Sequence, residues 1–167
     1  MYILVHQYSY RTESIKIDVS LKTRYNLFNT TQEDLPMDLQ VLMDEYNARN
    51  PFCQRMGAYV EELRPGYAKA VKTITEDDTN PLGVPHGGLY FTLADNACGF
   101  AIGAGGSPAV TINSTFNFMR GAKVGDHLSA EAFEVKSGKS VLVYETKITD
   151  QNGTLLCTGT FTFYRLK

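Results

Sequence analysis

The sequence predicts an α+β fold, a single antiparallel sheet with one dominant helix packed against it. Three observations carry that expectation. A glycine-punctuated apolar run fills residues 85–106, long enough for a helix of four to five turns. Four period-two segments follow it with no helical pattern between them, and two more strand-like segments precede it around a Pro-Gly turn. At 167 residues the chain fits one domain with a substantial core rather than two.

The elements read in order as follows. Residues 1–36 carry four of the ten tyrosines and no glycine, and end in the polar stretch "NTTQEDLP". They read as an N-terminal extension, disordered or an over-long start, or else as an extra strand at "SIKIDVSLKT"; the compact domain is expected over residues 37–167. "MDLQVLMDEYNARN" puts Leu39, Leu42, Met43 and Tyr46 on one helical face, with Pro51 expected to stop the helix. "MGAYVEELRPGYAKAVKTIT" is two strands about Pro65-Gly66. After a polar loop, a helix is expected from about Gly88 to Gly103. "AVTINSTFNFM" then alternates Val110, Ile112, Ser114, Phe116 and Phe118 against Thr111, Asn113, Thr115 and Asn117. "HLSAEAFEVK", "SVLVYETKIT" and "TLLCTGTFTFYRL" complete the sheet, joined at Ser137-Gly138 and at the hairpin signal Asn152-Gly153.

Composition narrows the function classes. Hydrophobic residues make up 43% and charged residues 20%, and the net charge of −2 gives no general attraction to nucleic acid or anionic membrane. No basic cluster is interleaved with aromatics. The three cysteines, Cys53, Cys98 and Cys157, are far apart and form no C-x-x-C pair. With three histidines they offer no zinc spacing, so neither a metal nor another cofactor is expected. Reduced thiols imply a cytoplasmic setting. "MYILVHQYSY" lacks the features of a secretory signal, and no run of about 18 apolar residues is present to span a membrane.

The dominant helix is unusual because it is apolar nearly all round. Leu89, Leu93, Ala97, Phe100 and Ala104 form one stripe, yet the opposite side still carries Phe91, Cys98 and Ile102 around Asp95. One face rests on the chain's own sheet; a second copy of the chain is the economical cover for the other. Asp95 is the one side chain charged at neutral pH between Pro85 and Gly106, and no Lys or Arg stands three or four residues away. An ionised carboxylate left in such a place is paired, protonated or functional. Just upstream, "NPLGVPHGG" (residues 80–88) sets two glycines and His86 at the mouth of the helix, where N–H groups lack intrahelical partners and favour a developing negative charge. A helix mouth with an acid two turns inside fits acyl transfer: the N–H groups polarise a carbonyl and the carboxylate activates water or attacks. Gly-Gly alone is equally a tight turn, and His86 alone equally a structural hydrogen-bonder.

The stretch "NPLGVPHGGLYFTLADNACGFA" (residues 80–101) resembles the signature of PaaI-type hotdog-fold acyl-CoA thioesterases, and the likeness extends over roughly residues 37–167. The joint spacing of Asn80, His86, Gly87 and Asp95 carries it. The resemblance implies a hotdog fold, a sheet wrapped around one long central helix, and a homodimer that pairs into a dimer of dimers. It implies Asp95 as general base or nucleophile and the Gly87 N–H as the donor to the thioester oxygen, supplied by different subunits. Asn80 and His86 would orient the thioester and the helix mouth, and Thr111 would position water. Gly88 and Phe91 would flank the acyl-CoA. Arg120 first, then Lys123, Lys136 and Lys139, would meet coenzyme A phosphates, unless they are ordinary solvated charge. Phe91, Ile102, Phe116 and Phe118 would wall the acyl group. Two rivals stand beside hydrolysis. One is a non-catalytic acyl-CoA-binding hotdog protein. The other is a hotdog enoyl-CoA hydratase, whose Asp-x-Asn-Pro…His pattern "DDTNPLGVPH" echoes with the wrong His spacing.

Overall fold

The structure, a computed structural model, describes residues 38–166. The extension, and the strand weighed within it, lie outside the described residues. Helix α1 (Leu39–Arg49) begins where the Asp38 carboxylate accepts the N–H groups of Gln40 (3.0 Å) and Val41 (3.3 Å). The helix ends at Arg49, ahead of Pro51 as expected, but a second helix that the sequence reading does not foresee follows at once. The chain turns at Asn50, and Pro51 opens a second short helix, α2 (Pro51–Met56), at a position whose N–H would have no helical partner anyway. Asn50 caps α2 by accepting the N–H of Cys53 at 3.1 Å.

Strands β1 (Ala58–Arg64) and β2 (Tyr67–Thr73) form the hairpin about Pro65-Gly66, with Gly66 at φ 75°, a left-handed geometry that glycine adopts without strain. Helix α3 (Gly87–Ala104) follows, one residue longer at each end than expected. Then come β3 (Ala109–Phe118), β4 (His127–Ser137), β5 (Val141–Thr149) and β6 (Leu155–Arg165). All six strands join one antiparallel sheet in the order β1-β2-β4-β5-β6-β3, so the strands flanking α3 in sequence lie well apart in the sheet.

Helix α3 lies on one face of this sheet, chiefly over β2 and β4. Alanines under it (Ala68, Ala70, Ala130 and Ala132) let the helix backbone come close, and Leu128, Tyr144, Ile148 and Phe161 close the core around Leu93 and Ala97. Each large apolar side chain buried there contributes about 1.5–3 kcal/mol. The sequence-derived stripe is buried throughout, and so are Cys98 and Ile102 on the other side. Cys53, Cys98 and Cys157 are free thiols in the interior.

The two sheet edges differ. At β1, the Asn47 side chain of α1 accepts the Val60 N–H (2.8 Å) and donates to its C=O (3.0 Å), a bulge follows between Val60 and Glu62, and Glu61, Glu62 and Arg64 add charge. Those devices blunt an edge. Edge strand β3 shares the bulge, between Thr111 and Asn113, but not the charge. It carries no charged residue, and Val110, Ile112, Phe118 and the adjoining Met119 are 47–60% exposed.

Candidate active site

The strict alternation expected along β3 breaks at its start. Thr111 pairs with Phe163 and Ser114 with Phe161, so the register shifts between Thr111 and Asn113 and Ile112 is bulged out. Thr111 was expected on the polar face with Asn113, Thr115 and Asn117. The bulge turns it instead to the helix-facing side, with Ser114, Phe116 and Phe118. From there its hydroxyl donates to Asp95 Oδ1 at 2.7 Å. No described cation pairs with Asp95. Burial therefore pushes its carboxyl above the ordinary range, and the Thr111 hydrogen bond pulls it part of the way back.

The helix mouth is built separately. His86, with φ −66° and ψ 135°, is the N-cap of α3, and its Nδ1 accepts the Gly88 N–H at 2.9 Å. An accepting Nδ1 leaves the ring proton on Nε2. Gly88 makes this cap possible: a Cβ at that position would stand 3.0 Å from Nδ1 of His86. The Leu89 N–H reaches the His86 C=O (3.0 Å), whereas the Gly87 N–H makes no hydrogen bond with any described residue. Asn80 holds the approach loop, its Oδ1 accepting the Leu82 N–H (2.9 Å) while its own N–H donates to Val84 (2.8 Å). Phe118, at the far end of β3, lies over Gly87, whose added Cβ would meet the ring at 3.4 and 3.5 Å. Phe91 sits one turn before Asp95 in an aromatic cluster with Phe116 (5.6 Å) and Phe161 (5.3 Å).

The expected residues thus form two clusters rather than one. Asp95 and Thr111 meet; Asn80, His86, Gly87 and Gly88 meet; but Asp95 is eight residues beyond Gly87, about 12 Å along the helix axis. The basic residues separate as well. Arg120 and Lys123 follow Phe118 at the mouth end, while Lys136 and Lys139 flank the β4–β5 turn beside Arg165, whose guanidinium reaches Ser107 past the C-terminal end of α3. All four are exposed, and none pairs with a described acid. Three contributors escaped sequence reasoning. Tyr90, whose hydroxyl accepts the Ala122 N–H at 2.8 Å, looks like any apolar-helix aromatic in the sequence. Lys72 and Asp78, which pair at 2.9 Å behind the mouth, lie six residues apart across a loop that no periodicity describes.

Comparison with known proteins gives the family. Residues 82–157 match the family model described as "Thioesterase superfamily". The chain is 32% identical over 111 residues to a putative esterase of Archaeoglobus fulgidus, covering 66% of this chain and 72% of that one. It is 33% identical over 103 residues to acyl-coenzyme A thioesterase PaaI of Escherichia coli, covering 61% and 74%. The solved structure of the E. coli PaaI protein superposes with a TM-score of 0.74 at 26% identity, over 77% of this chain and 94% of that one.

Proposed function

Because the chain belongs to the thioesterase superfamily and has the hotdog fold of its PaaI-type members, we propose that it hydrolyses acyl-CoA thioesters at sites shared by two copies. The observation that carries this reading is the Asp95–Thr111 pair, a half-buried carboxylate held by a hydroxyl and neutralised by no described cation. A half-buried carboxyl with a hydroxyl for its partner is a candidate base or nucleophile.

A reacting carbonyl must sit about 3 Å from both its oxyanion donor and its nucleophile. Within one chain that is ruled out by the helical rise between Gly87 and Asp95. Pairing two β3 edges antiparallel removes the difficulty. If the twofold axis passes near Ser114 and Thr115, Thr111 of one copy faces the Phe118 position of the other. Asp95, held by Thr111, then approaches the partner's Gly87, which lies under Phe118. The same pairing brings the Lys136 and Lys139 end of one copy toward the Arg120 and Lys123 end of the other, a setting for coenzyme A phosphates. The uncharged edge of β3, with its exposed apolar side chains, favours this interface over the charged edge of β1.

In such a site the thioester oxygen accepts the Gly87 N–H, and Asp95 takes a proton from water as the hydroxide adds to the carbonyl carbon. The oxyanion of the tetrahedral intermediate rests on the same N–H. Collapse breaks the carbon–sulfur bond, and the proton on Asp95 passes to the leaving thiolate. Direct attack by Asp95 would use the same residues through a mixed anhydride that water then opens. A thiol-release assay over a panel of acyl-CoAs tests the proposal. Turnover by the wild-type chain that vanishes in Asp95→Asn supports it. Acyl-CoA binding without thiol release in the wild type would show the non-catalytic alternative, and water addition to an enoyl-CoA without thiol release the hydratase.

A further inference from the structure

From the buried hydrogen-bond chain behind the helix mouth, we infer that Lys72 and Asp78 are positioning residues for the site, fixing where the Gly87 N–H points. The inference rests on the hydrolase reading for its catalytic consequence, and on geometry alone for its mechanical one.

Lys72 is on β2, under the sheet's helix-facing side, and is 3% exposed. Its ammonium donates to the Met56 C=O at the end of α2 and to Asp78 Oδ2 at 2.9 Å. The same Asp78 oxygen accepts the Thr75 N–H (2.8 Å) and the Thr75 hydroxyl (2.9 Å), closing a 3₁₀ turn at Glu76–Asp78. The Asp78 C=O then accepts the His86 N–H at 2.8 Å, and His86 caps α3 through Gly88. A bridge between Thr79 and Pro85 and the Asn80-to-Val84 hydrogen bond staple the two arms of the intervening loop together. The path from β2 to the first turn of α3 is therefore continuous, Lys72 to Asp78 to His86 to Gly88.

A buried ion pair is a weak source of stability, because removing two charges from water offsets most of their attraction. What it supplies is direction: an ammonium and a carboxylate that tolerate only a narrow geometry. Burial pushes the Asp78 carboxyl up, but the Lys72 ammonium and the two Thr75 bonds outweigh it and leave the group below its ordinary range. The loop needs such an anchor. It carries Asn80, His86 and the approach to Gly87, while Leu82 and Val84 at its tip are exposed. A donor aimed at a transition-state oxyanion is sensitive to displacements of an ångström.

The test uses the full chain and the double variant Lys72→Met/Asp78→Asn, which leaves no unpaired buried charge, alongside the two single variants. Amide exchange, followed by NMR, is expected to accelerate about tenfold or more at His86 and Gly88, with Tyr144 and Ile148 in β5 at wild-type rates. With the acyl-CoA that the wild type turns over fastest, kcat is expected to fall about tenfold while KM stays within about twofold. Wild-type exchange at His86 and Gly88, or acceleration shared equally by β5, would overturn the inference. A wild-type chain that hydrolyses no acyl-CoA would defeat the functional reading instead, and the exchange data would still decide whether the pair holds the turn.

Discussion

Replacing Gly87 with proline removes the N–H assigned to the oxyanion and sets a ring carbon in its place, while leaving the helix start intact. Gly87 is the first residue of α3, where proline is favoured because the N–H has no helical partner. The preceding residue, His86, already has φ −66° and ψ 135°, the extended conformation a residue before proline prefers. Space is sufficient too, since a Cβ at Gly87 makes ordinary contacts of 3.4 and 3.5 Å with the Phe118 ring. Gly87→Ala adds the same contact and keeps the N–H, so the difference between the two variants reads the oxyanion position, its donor lost and its space taken by the proline Cδ. An oxyanion donor is worth roughly 10²–10³ in kcat, about 2.7–4 kcal/mol, and the proline variant is expected to lose that much relative to the alanine variant. Thiol release measured at saturating acyl-CoA reads it, and thermal unfolding should place both variants close to the wild type. A kcat for Gly87→Pro within threefold of Gly87→Ala would refute the assignment of this N–H to the oxyanion.

Three further outcomes follow from the environment of Asp95 and from the buried thiols. Thr111→Val removes the one interaction that lowers the Asp95 carboxyl, so the acid limb of the kcat/KM profile should move to higher pH, with a smaller loss of activity at its plateau than Asp95→Asn shows. The folded-state pKa of Asp95 is raised, so the native chain binds this proton more tightly than the unfolded chain does. Stability from this group is accordingly lost as pH rises from the ordinary carboxylate range through the raised value. Asp95→Asn, neutral at every pH, should therefore abolish turnover yet raise the unfolding midpoint at pH 7, a trade of stability for activity read by a thermal melt. Cys53 and Cys157 have thiols pushed up to about 11 by burial, and Cys98 is raised as well. A disulfide reagent at pH 8 should leave all three unlabelled in the native chain and label them once the chain is unfolded.

Much of the fold was legible because the elements obey simple periods. Alternation placed β4, β5 and β6 to within a residue or two at each end, Pro65-Gly66 placed the first hairpin, and the apolar stripe of α3 is buried as expected. Where the reading went astray, a non-periodic feature decided the outcome. The bulge at Ile112 re-aims Thr111, and a bulge has no signature in an alternating sequence of β-branched and polar residues. Pro51 ends α1 as expected, but the six-residue helix that Asn50 caps beyond it is too short to leave a periodic signal. The site divides in the same way. Asp95 is conspicuous as the lone charge of an apolar helix, and the Gly-Gly mouth by its composition, whereas nothing in the spacing of Lys72 and Asp78 marks the pair that the tertiary fold buries together.

The central claim is that each site draws its acid from one copy and its oxyanion donor from the other. Asp95→Asn and Gly87→Pro chains, each inactive as homodimers, should be unfolded together, refolded at equal amounts and assayed for thiol release. Random pairing makes half the dimers mixed, each with one intact site of two, so about a quarter of wild-type activity should return. Activity no greater than the sum of the two separate variants, in a sample shown to contain mixed dimers, would contradict the account.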